Sequence, residues 1–246
     1  MGKVVTFFGG DSKTGTSMIA MSVTEALKDR KKTILLLQCA GKRENVKEEK
    51  GIKNIDDIKA NILSGKITVE DVEEIISRKK GYHLILGVKN PYGARFYPEN
   101  TAKLICDAIS DKYEYVIIDG GGDVNSGLGI SALTAADKIF FVLDQGRKTI
   151  ERFTYMNEQV LRPLGIKGEF IINKYVKEPS LYRKNEMEKI FNAGSSFTVP
   201  YIEYGLQMEM EDKTLMKFAR FQKKVNKITD DIEGVNNKKL WKKNFL

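Results

Sequence analysis

The residues whose types and spacing could do chemistry begin in a glycine-marked segment near the amino terminus. Between an apolar run at 4–8 and a helical pattern that starts at Thr16, the chain reads Gly10, Asp11, Ser12, Lys13, Thr14, Gly15, Thr16 and Ser17. This is the frame G-x-x-x-x-G-K-[ST] of a loop whose backbone N–H groups hold phosphate oxygens. Thr16 stands where the frame has lysine. The segment therefore predicts a phosphate-binding loop that lacks its usual cation.

A second chemical position closes the apolar run YVIID at 115–119. A carboxylate at the end of such a strand, here Asp119, can hold magnesium directly or through water when it faces a phosphate loop. The motif is common and weak by itself. The glycines at 120–122 allow the backbone to approach a ligand or to move, or they form a simple strand-to-helix turn.

The elements that must position these residues alternate between apolar runs and helical patterns. This alternation predicts an α/β fold with a doubly wound, mostly parallel sheet and helices on both faces. Strands are predicted at 4–8, 33–38, 83–86, 115–119, 138–144, 169–173 and 197–200. Helices are predicted at 16–29, 55–64, 69–77, 102–111, 127–135, 148–164, 181–191 and 206–232. We expect one domain over residues 1–232 and a basic, aromatic tail over 233–246.

Composition excludes several classes of function. The chain has 246 residues, a net charge of +8 and no apolar run near the roughly 20 residues that a membrane span needs. Cys39 and Cys106 lack metal-ligand spacing, and the only histidine, His83, sits in the apolar run YHLILG. We therefore expect no histidine chemistry. The positive charge suits an acidic surface, either DNA or anionic lipid, and equally suits solubility.

The order of the motifs resembles the MinD/ParA-like family of P-loop ATPases, whose loop reads K-G-G-x-G-K-[ST]. Within that family the chain is most similar to the degenerate TadZ/CpaE-like branch, whose members place pilus or secretion machinery at a cell pole. The resemblance rests on the loop at 10–17, YVIIDGGG at 115–122, ADKIFFVLDQGRKTIERF at 136–153, IINKY at 171–175 and VPYIEYG at 199–205.

This resemblance implies a site for ATP or ADP with magnesium. The backbone of residues 11–17 would bind the phosphates, and Ser17 would be a magnesium ligand. Asp119 would hold the ion through water. Asn173 falls where the family contacts the adenine base, and Pro200 lies on the segment that closes over the base.

The departures from the family pattern concern hydrolysis. The signature lysine falls at Asp11, the phosphate-loop lysine falls at Thr16, and the family's aspartates after the second strand are replaced by the run QCA at 38–40. Lys13 is a candidate substitute for one lysine, or a solvated loop residue. Asp119 and Lys13 are the only catalytic candidates, so we expect at most a weak ATPase.

We expect the chain to be a localisation or assembly protein for pilus or secretion machinery. We expect it to form a homodimer and to act in the cytoplasm. The alternative is an active ATPase switch for DNA partitioning or for septum or membrane positioning, and non-specific DNA binding fits the net charge. A dinucleotide-binding fold is disfavoured because Gly9, Gly10 and Gln38 do not supply G-x-G-x-x-G and the acidic residue it requires.

Two polar segments carry open alternatives. The charge-dense segment at 40–51 is either a mobile switch beside the phosphate loop or a solvated crossover. In the tail, Leu240, Trp241 and Phe245 would share one side of a helix and four lysines the other, although Leu246 lands among the lysines. That pattern fits either an anchor at an anionic membrane surface, at the inner face of the cell membrane, or a solvated basic end.

Overall fold

The computed structural model describes residues 2–40, 52–109 and 111–235. Its strands are β1 (Lys3–Gly9), β2 (Ile34–Gln38), β3 (Ile76–Lys79), β4 (Tyr82–Ile85), β5 (Tyr115–Asp119), β6 (Lys138–Leu143), β7 (Glu169–Tyr175) and β8 (Ser196–Pro200). They form one sheet in the order β3-β4-β2-β5-β1-β6-β7-β8. All neighbouring pairs are parallel except β3 and β4. The predicted doubly wound, mostly parallel fold class is therefore confirmed.

Helices connect the strands. They are α1 (Thr16–Asp29), α2 (Lys59–Leu63), α3 (Val69–Glu74), α4 (Thr101–Ala108), α5 (Gly127–Thr134), α6 (Arg147–Met156), α7 (Lys184–Ile190), α8 (Gly205–Met210) and α9 (Ala219–Ile232). Short 3₁₀ segments at Ile55–Ile58, Pro91–Phe96 and Leu215–Lys217 and a π-helical turn at Asn157–Leu161 extend or join them. Seven predicted strands and the predicted first helix lie where the sequence placed them.

The helix predicted at 69–77 is wrong in its last residues. Helix α3 ends at Glu74, and Ile76–Lys79 form β3, which pairs antiparallel with β4. Lys79 lies opposite Tyr82, so the two strands are joined by a two-residue turn in which Gly81 has φ +90°. Two-residue hairpins need positive φ, which glycine adopts without strain. The hairpin adds an edge strand that the sequence pattern did not reveal.

The single helix predicted at 206–232 is also wrong. Asp212 adopts φ +51°, which cannot continue a right-handed helix, and Phe218 is extended at φ −90°, ψ 109°. The segment is therefore divided into α8, a 3₁₀ turn and α9. Apolar residues at helical spacing still form a buried face on α9, where Phe221, Val225 and Ile228 are buried. Helical spacing of apolar residues predicted the buried face but not the breaks.

The core explains where the first loop begins. Parallel central strands are covered on both faces and read as continuous apolar runs, as the VVTFF of β1 does. Val5 and Phe7 pack into the core beneath α1 and α9, Val4 packs on the opposite side, and Phe8 packs with α6 residues. Since β1 is fixed from both sides, its carboxyl end holds the following loop at one edge of the sheet.

No helix among the described residues combines the length and apolar character that crossing a bilayer requires. The tail residues at 236–246, including the proposed amphipathic stretch, lie outside the described residues. Residues 41–51 also lie outside the described residues. They make up nearly all of the charge-dense segment at 40–51, which is predicted to be either a mobile switch or a solvated crossover. Only its first residue, Ala40, is described, where its backbone N–H donates to the Asp119 carbonyl at 3.2 Å.

Candidate functional site

The glycine-marked loop leaves the sheet under tight packing. The backbone N–H of Gly9 donates to Gly121 O at 2.6 Å, and that of Gly10 donates to Val142 O at 2.9 Å. A Cβ atom on Gly10 would lie 2.0 Å from Cδ2 of Leu143, which is fully buried. The start of the loop is therefore held by β5 and β6 and has no room for a side chain.

The end of the loop opens directly into α1. Gly15 has φ +89° and occupies the N-cap position, with no side chain capping the helix and no acidic residue in its first turn. Its first N–H groups, at Thr16 and Ser17, thus point from an uncapped helix end, which favours an anion. A Cβ on Gly15 would approach Nδ2 of Asn173 to 2.4 Å, so glycine is required here for both conformation and space.

Thr16, at the lysine position of the frame, is buried and engaged within the loop. The hydroxyl oxygens of Thr14 and Thr16 lie 3.2 Å apart, and the Thr14 hydroxyl donates to Asp11 O at 3.2 Å. Both threonines are at most 7% exposed. The loop interior is therefore stabilised by small hydroxyl side chains where a lysine would otherwise extend toward a phosphate.

Asp11, at the position of the family's signature lysine, forms an ion pair with a residue far along the chain. Its Oδ1 accepts from Nη1 of Arg152 at 2.5 Å and from the backbone N–H of Ser12 at 2.6 Å. The Asp11 side chain is 9% exposed and that of Arg152 is 49% exposed. Arg152 lies on α6, so this contact ties that helix to the loop.

Two consecutive residues at the end of β7 contact the tip of the loop. Nδ2 of Asn173 donates to Thr14 O at 2.8 Å, and Nζ of Lys174 donates to Lys13 O at 2.6 Å. Neighbouring side chains of a regular strand point to opposite faces. Here Lys174 has φ +53° and the pairing with β8 shifts register between Ile172 and Tyr175. This irregularity directs both side chains to the loop, at a strain of about 1–2 kcal/mol for the left-handed backbone.

The structure places Asp119 at the same edge of the sheet. It is 3% exposed, ends β5, and lies in register beside Phe7 of β1 and Gln38 of β2. The backbone N–H of Gly121 lies 3.3 Å from its Oδ1. A Cβ on Gly122 would lie 2.9 Å from Gly9 O, so the segment after β5 packs directly on the start of the loop. The carboxylate thus neighbours the loop through its own strand.

Comparison with solved structures identifies this architecture. The septum site-determining protein MinD from Pyrococcus horikoshii OT3, complexed with Mg-ADP, matches with a TM-score of 0.77 and 14% identity over 96% of this chain and 98% of that one. The chain has the MinD/ParA P-loop fold. A ParA family ATPase from Chlorobium tepidum TLS matches at 0.74 with 16% identity, over 93% of this chain and 97% of that one. A putative plasmid partition protein from Borrelia burgdorferi B31 bound to AMPPNP matches at 0.74 with 15% identity, over 96% and 100%.

No protein-family model and no curated protein sequence matches the chain. At 14 to 16% identity, the three structures share the fold with this chain while most side chains differ. What the shared fold establishes is the overall course of the backbone. The residues around that backbone belong to this chain, and its chemistry must be argued from them.

The donor set is compatible with magnesium only together with a phosphate. Among the described residues there is no group of three or more His, Cys, Asp or Glu that could hold a metal ion. Mg²⁺ is often bound by one or two protein oxygens, with phosphate oxygens and water completing its shell. The Ser17 hydroxyl and the Asp119 carboxylate can supply such a pair at this edge, so these two predicted ligands fit a nucleotide-borne ion.

The other predicted residues occupy two kinds of position. Lys13 is exposed at the loop tip with φ +62°, where its carbonyl rather than its ammonium group has a described contact. Pro200 ends β8 beside Tyr175 and so lies on the Asn173 side of the loop. The structure places residues 10–17, Asp119, Asn173 and Pro200 at one edge of the sheet. Their roles in nucleotide binding, magnesium binding and catalysis remain predictions.

The two described residues that directly follow β2, Cys39 and Ala40, supply no acid to this edge. Cys39 is buried, and burial raises the pKa of its thiol well above the ordinary value, so it stays protonated. Burial likewise raises the pKa of Cys106 to about 12. His83, the only histidine of the chain, lies with Nδ1 2.6 Å from the hydroxyl of Tyr113. Both thiols are thus buried in the protein interior, and the imidazole is engaged with a tyrosine.

Sequence reasoning missed Arg152 and Lys174. Both lie inside stretches that carry the family resemblance, yet neither occupies a motif position. The signal that could have directed attention to Arg152 is the acid at Asp11, because a carboxylate in a phosphate loop needs a cation to compensate it. For Lys174 there is no such signal, since its orientation depends on the irregular backbone of β7.

Proposed function

We propose that this chain is a MinD/ParA-like localisation or assembly protein that binds ATP or ADP with magnesium weakly and hydrolyses ATP little. The observation that carries the proposal is the loop itself. Its glycine frame and uncapped helix start are intact, while Thr16 fills the lysine position with a hydroxyl bonded to Thr14. Backbone groups can hold phosphates without that lysine, but the missing cation weakens the binding.

Hydrolysis depends on groups that this chain lacks at the motif positions. Phosphoryl transfer is catalysed by positioning and charge stabilisation, and one arginine supplied to the transition state contributes about 10³–10⁵ in rate. Here the signature lysine is Asp11, the phosphate-loop lysine is Thr16, and the positions after β2 hold no aspartate. We therefore assign the chain a binding role in which turnover is slow.

Titration calorimetry with the full chain tests binding. Mg-ATP and Mg-ADP should bind with dissociation constants of about 0.1–1 mM, corresponding to roughly 4–5.5 kcal/mol. Asp119→Ala should weaken binding of the magnesium complex more than binding of nucleotide with EDTA, since its role is through the ion. A chain that takes up no nucleotide at millimolar concentration would contradict the proposal.

Steady-state turnover, measured alone and with DNA or anionic vesicles, tests the second part. The cations that the structure places on the loop favour an active ATPase switch for DNA partitioning or for septum or membrane positioning as a second candidate. Little turnover under all three conditions agrees with our proposal. Stimulated turnover that disappears in Asp119→Ala would favour the switch.

We further propose the TadZ/CpaE-like role, in which a homodimer in the cytoplasm marks a site for pilus or secretion machinery. The support is the motif order in the sequence together with the degenerate positions Asp11 and Thr16. Light scattering with and without Mg-ATP tests the dimer. Sedimentation with anionic vesicles, comparing the full chain with one ending at Gly234, tests whether the tail reaches a membrane, and equal sedimentation would contradict that role.

A further inference from the structure

We propose that Arg152 and Lys174 replace the missing loop lysines and bind the phosphate groups of the nucleotide from outside the loop. This inference rests on the proposed function, because it assigns the phosphate-binding cations of that same site. Neither residue belongs to the loop motif. Both are delivered to the loop by other elements, Arg152 by α6 and Lys174 by the end of β7.

Arg152 is held beside the loop by a buried carboxylate. Asp11 fixes Nη1 at 2.5 Å and is itself fixed by the N–H of Ser12. A guanidinium has five N–H donors in a planar fork, so a contact through Nη1 leaves donors for a second acceptor. Because its side chain is 49% exposed, Arg152 can offer these donors toward solvent at the loop. A phosphate matches this fork with two oxygens.

Lys174 contacts a different residue of the loop. Its Nζ donates to Lys13 O at 2.6 Å, and an ammonium group has three donors. The left-handed backbone of Lys174, which is strained for a residue with a side chain, is what turns this group to the loop. Asn173 next to it holds Thr14 O at 2.8 Å, so the strand end fixes the loop while the ammonium group adds charge.

The charge balance around the loop tip favours a polyphosphate over a neutral ligand. Lys13, Arg152 and Lys174 carry three positive charges, against one negative charge on Asp11 and one on Asp119 at the end of the neighbouring strand β5. The uncapped start of α1 adds a partial positive charge at the other end of the loop. A nucleotide with two or three phosphates offers oxygens to both ends, whereas a single carboxylate ligand could reach only one.

Titration calorimetry of the full chain with Mg-ATP and with inorganic tripolyphosphate tests the assignment. Arg152→Gln and Lys174→Gln remove the charges and keep a polar, unbranched side chain. Each variant should lower the affinity for both ligands about tenfold, and Arg152→Lys should recover part of the lost affinity. The matched controls Arg147→Gln, on α6 and paired with Glu151, and Lys184→Gln, on α7 and paired with Glu188, should stay within about twofold.

The outcomes separate this assignment from the proposed function. A merely structural role for the two residues would lower the unfolding temperature of the variants and leave tripolyphosphate affinity unchanged, which overturns the assignment alone. Wild-type protein that binds ATP while both Gln variants bind it equally well has the same meaning. Wild-type protein that binds neither ligand overturns the proposed function and this assignment together. Asp11→Asn provides a second test of the assignment. Removing the acid should raise the affinity for tripolyphosphate.

Discussion

The two edges of the sheet use charge in different ways. At the amino edge, charged side chains pair with one another across elements: Nζ of Lys138 lies 2.5 Å from Glu169 and 2.6 Å from Asp231, and Arg30 lies 2.8 Å from Asp230. These pairs join α9 to β6, β7 and α1. Each of these charged groups therefore lies beside an opposite charge.

At the carboxyl edge, the ion pair between Arg152 and Asp11 is accompanied by side chains that bind backbone carbonyls. Lys174 and Asn173 donate to loop carbonyls, and positive φ occurs at Lys13, Gly15 and Lys174. Lys13, Arg152 and Lys174 bring three cations to the loop, against the carboxylates of Asp11 and Asp119. Backbone strain of this kind persists only where the surrounding structure holds it in place, and it is often found at functional sites. On our proposal, the amino edge stabilises the fold and the carboxyl edge binds the ligand.

The largest effect should come from restoring the missing lysine. If the loop frame is intact, Thr16→Lys should tighten Mg-ATP binding about 10- to 100-fold, because the new ammonium group reaches the terminal phosphates. Titration calorimetry measures the change. Ser12→Lys is the control, since it adds the same charge to the same loop at the wrong position. Equal gains in both variants would show that the frame has no specific lysine position.

The second-largest effect should come from disturbing the packing at the start of the loop. Gly10→Ala places a Cβ 2.0 Å from Cδ2 of Leu143, in a buried cluster with Phe153. Overpacking of this kind should lower the free energy of unfolding by about 1–3 kcal/mol, measured by urea denaturation. Gly194→Ala, where a Cβ meets nothing within 4 Å, should change it by less than about 0.5 kcal/mol. A neutral Gly10→Ala would mean that the loop start is not fixed by the core.

The amino edge should respond in stability alone. Lys138→Met removes the pairs with Glu169 and Asp231 and should cost about 1 kcal/mol of unfolding free energy, since these groups are partly exposed. Mg-ATP affinity should be unchanged. An altered affinity would break the division between the two edges.

The pairs of Lys138 with Glu169 and Asp231 also predict how the free energy of unfolding depends on pH. Burial alone would lower the pKa of Lys138, but its hydrogen bonds to Asp231 and Glu169 outweigh burial and raise it above 10.5. A raised pKa in the folded state means that the stabilisation is complete below pH 10.5 and is lost as pH rises through the folded value. The stability difference between wild type and Lys138→Met should therefore narrow in alkaline solution. A difference that grows with pH would contradict this sign.

The smallest effect should come from relieving backbone strain at the carboxyl edge. It should separate the contribution of Lys174 to stability from its contribution to binding. Lys174→Gly relieves the left-handed backbone and should raise unfolding free energy by about 0.5 kcal/mol while weakening Mg-ATP binding. Asn192→Gly, at φ +50° beyond α7, should raise stability similarly and leave binding unchanged. Loss of binding in both variants would show that the effect is not local to the loop.

Sequence reasoning reached the fold and the loop frame but not its cations. Buried parallel strands are visible as apolar runs, as in β1, and the glycines of the loop are visible from their spacing. The turn at Asp212 is invisible because a stripe such as Phe221 and Val225 reports a face and not backbone breaks. Arg152 and Lys174 were missed because their loop contacts span 141 and 161 positions of the chain. Such contacts follow from topology, which local patterns do not contain.

The central claim is that a retained phosphate loop binds nucleotide without the lysines that drive hydrolysis. The most direct test is a crystal structure of the full chain grown with millimolar ATP and magnesium. We predict intact ATP with its phosphates on the backbone of residues 11–17 and with Arg152 and Lys174 in contact with them. A loop empty of nucleotide under these conditions would contradict the account and leave a scaffold that keeps only the shape of the site.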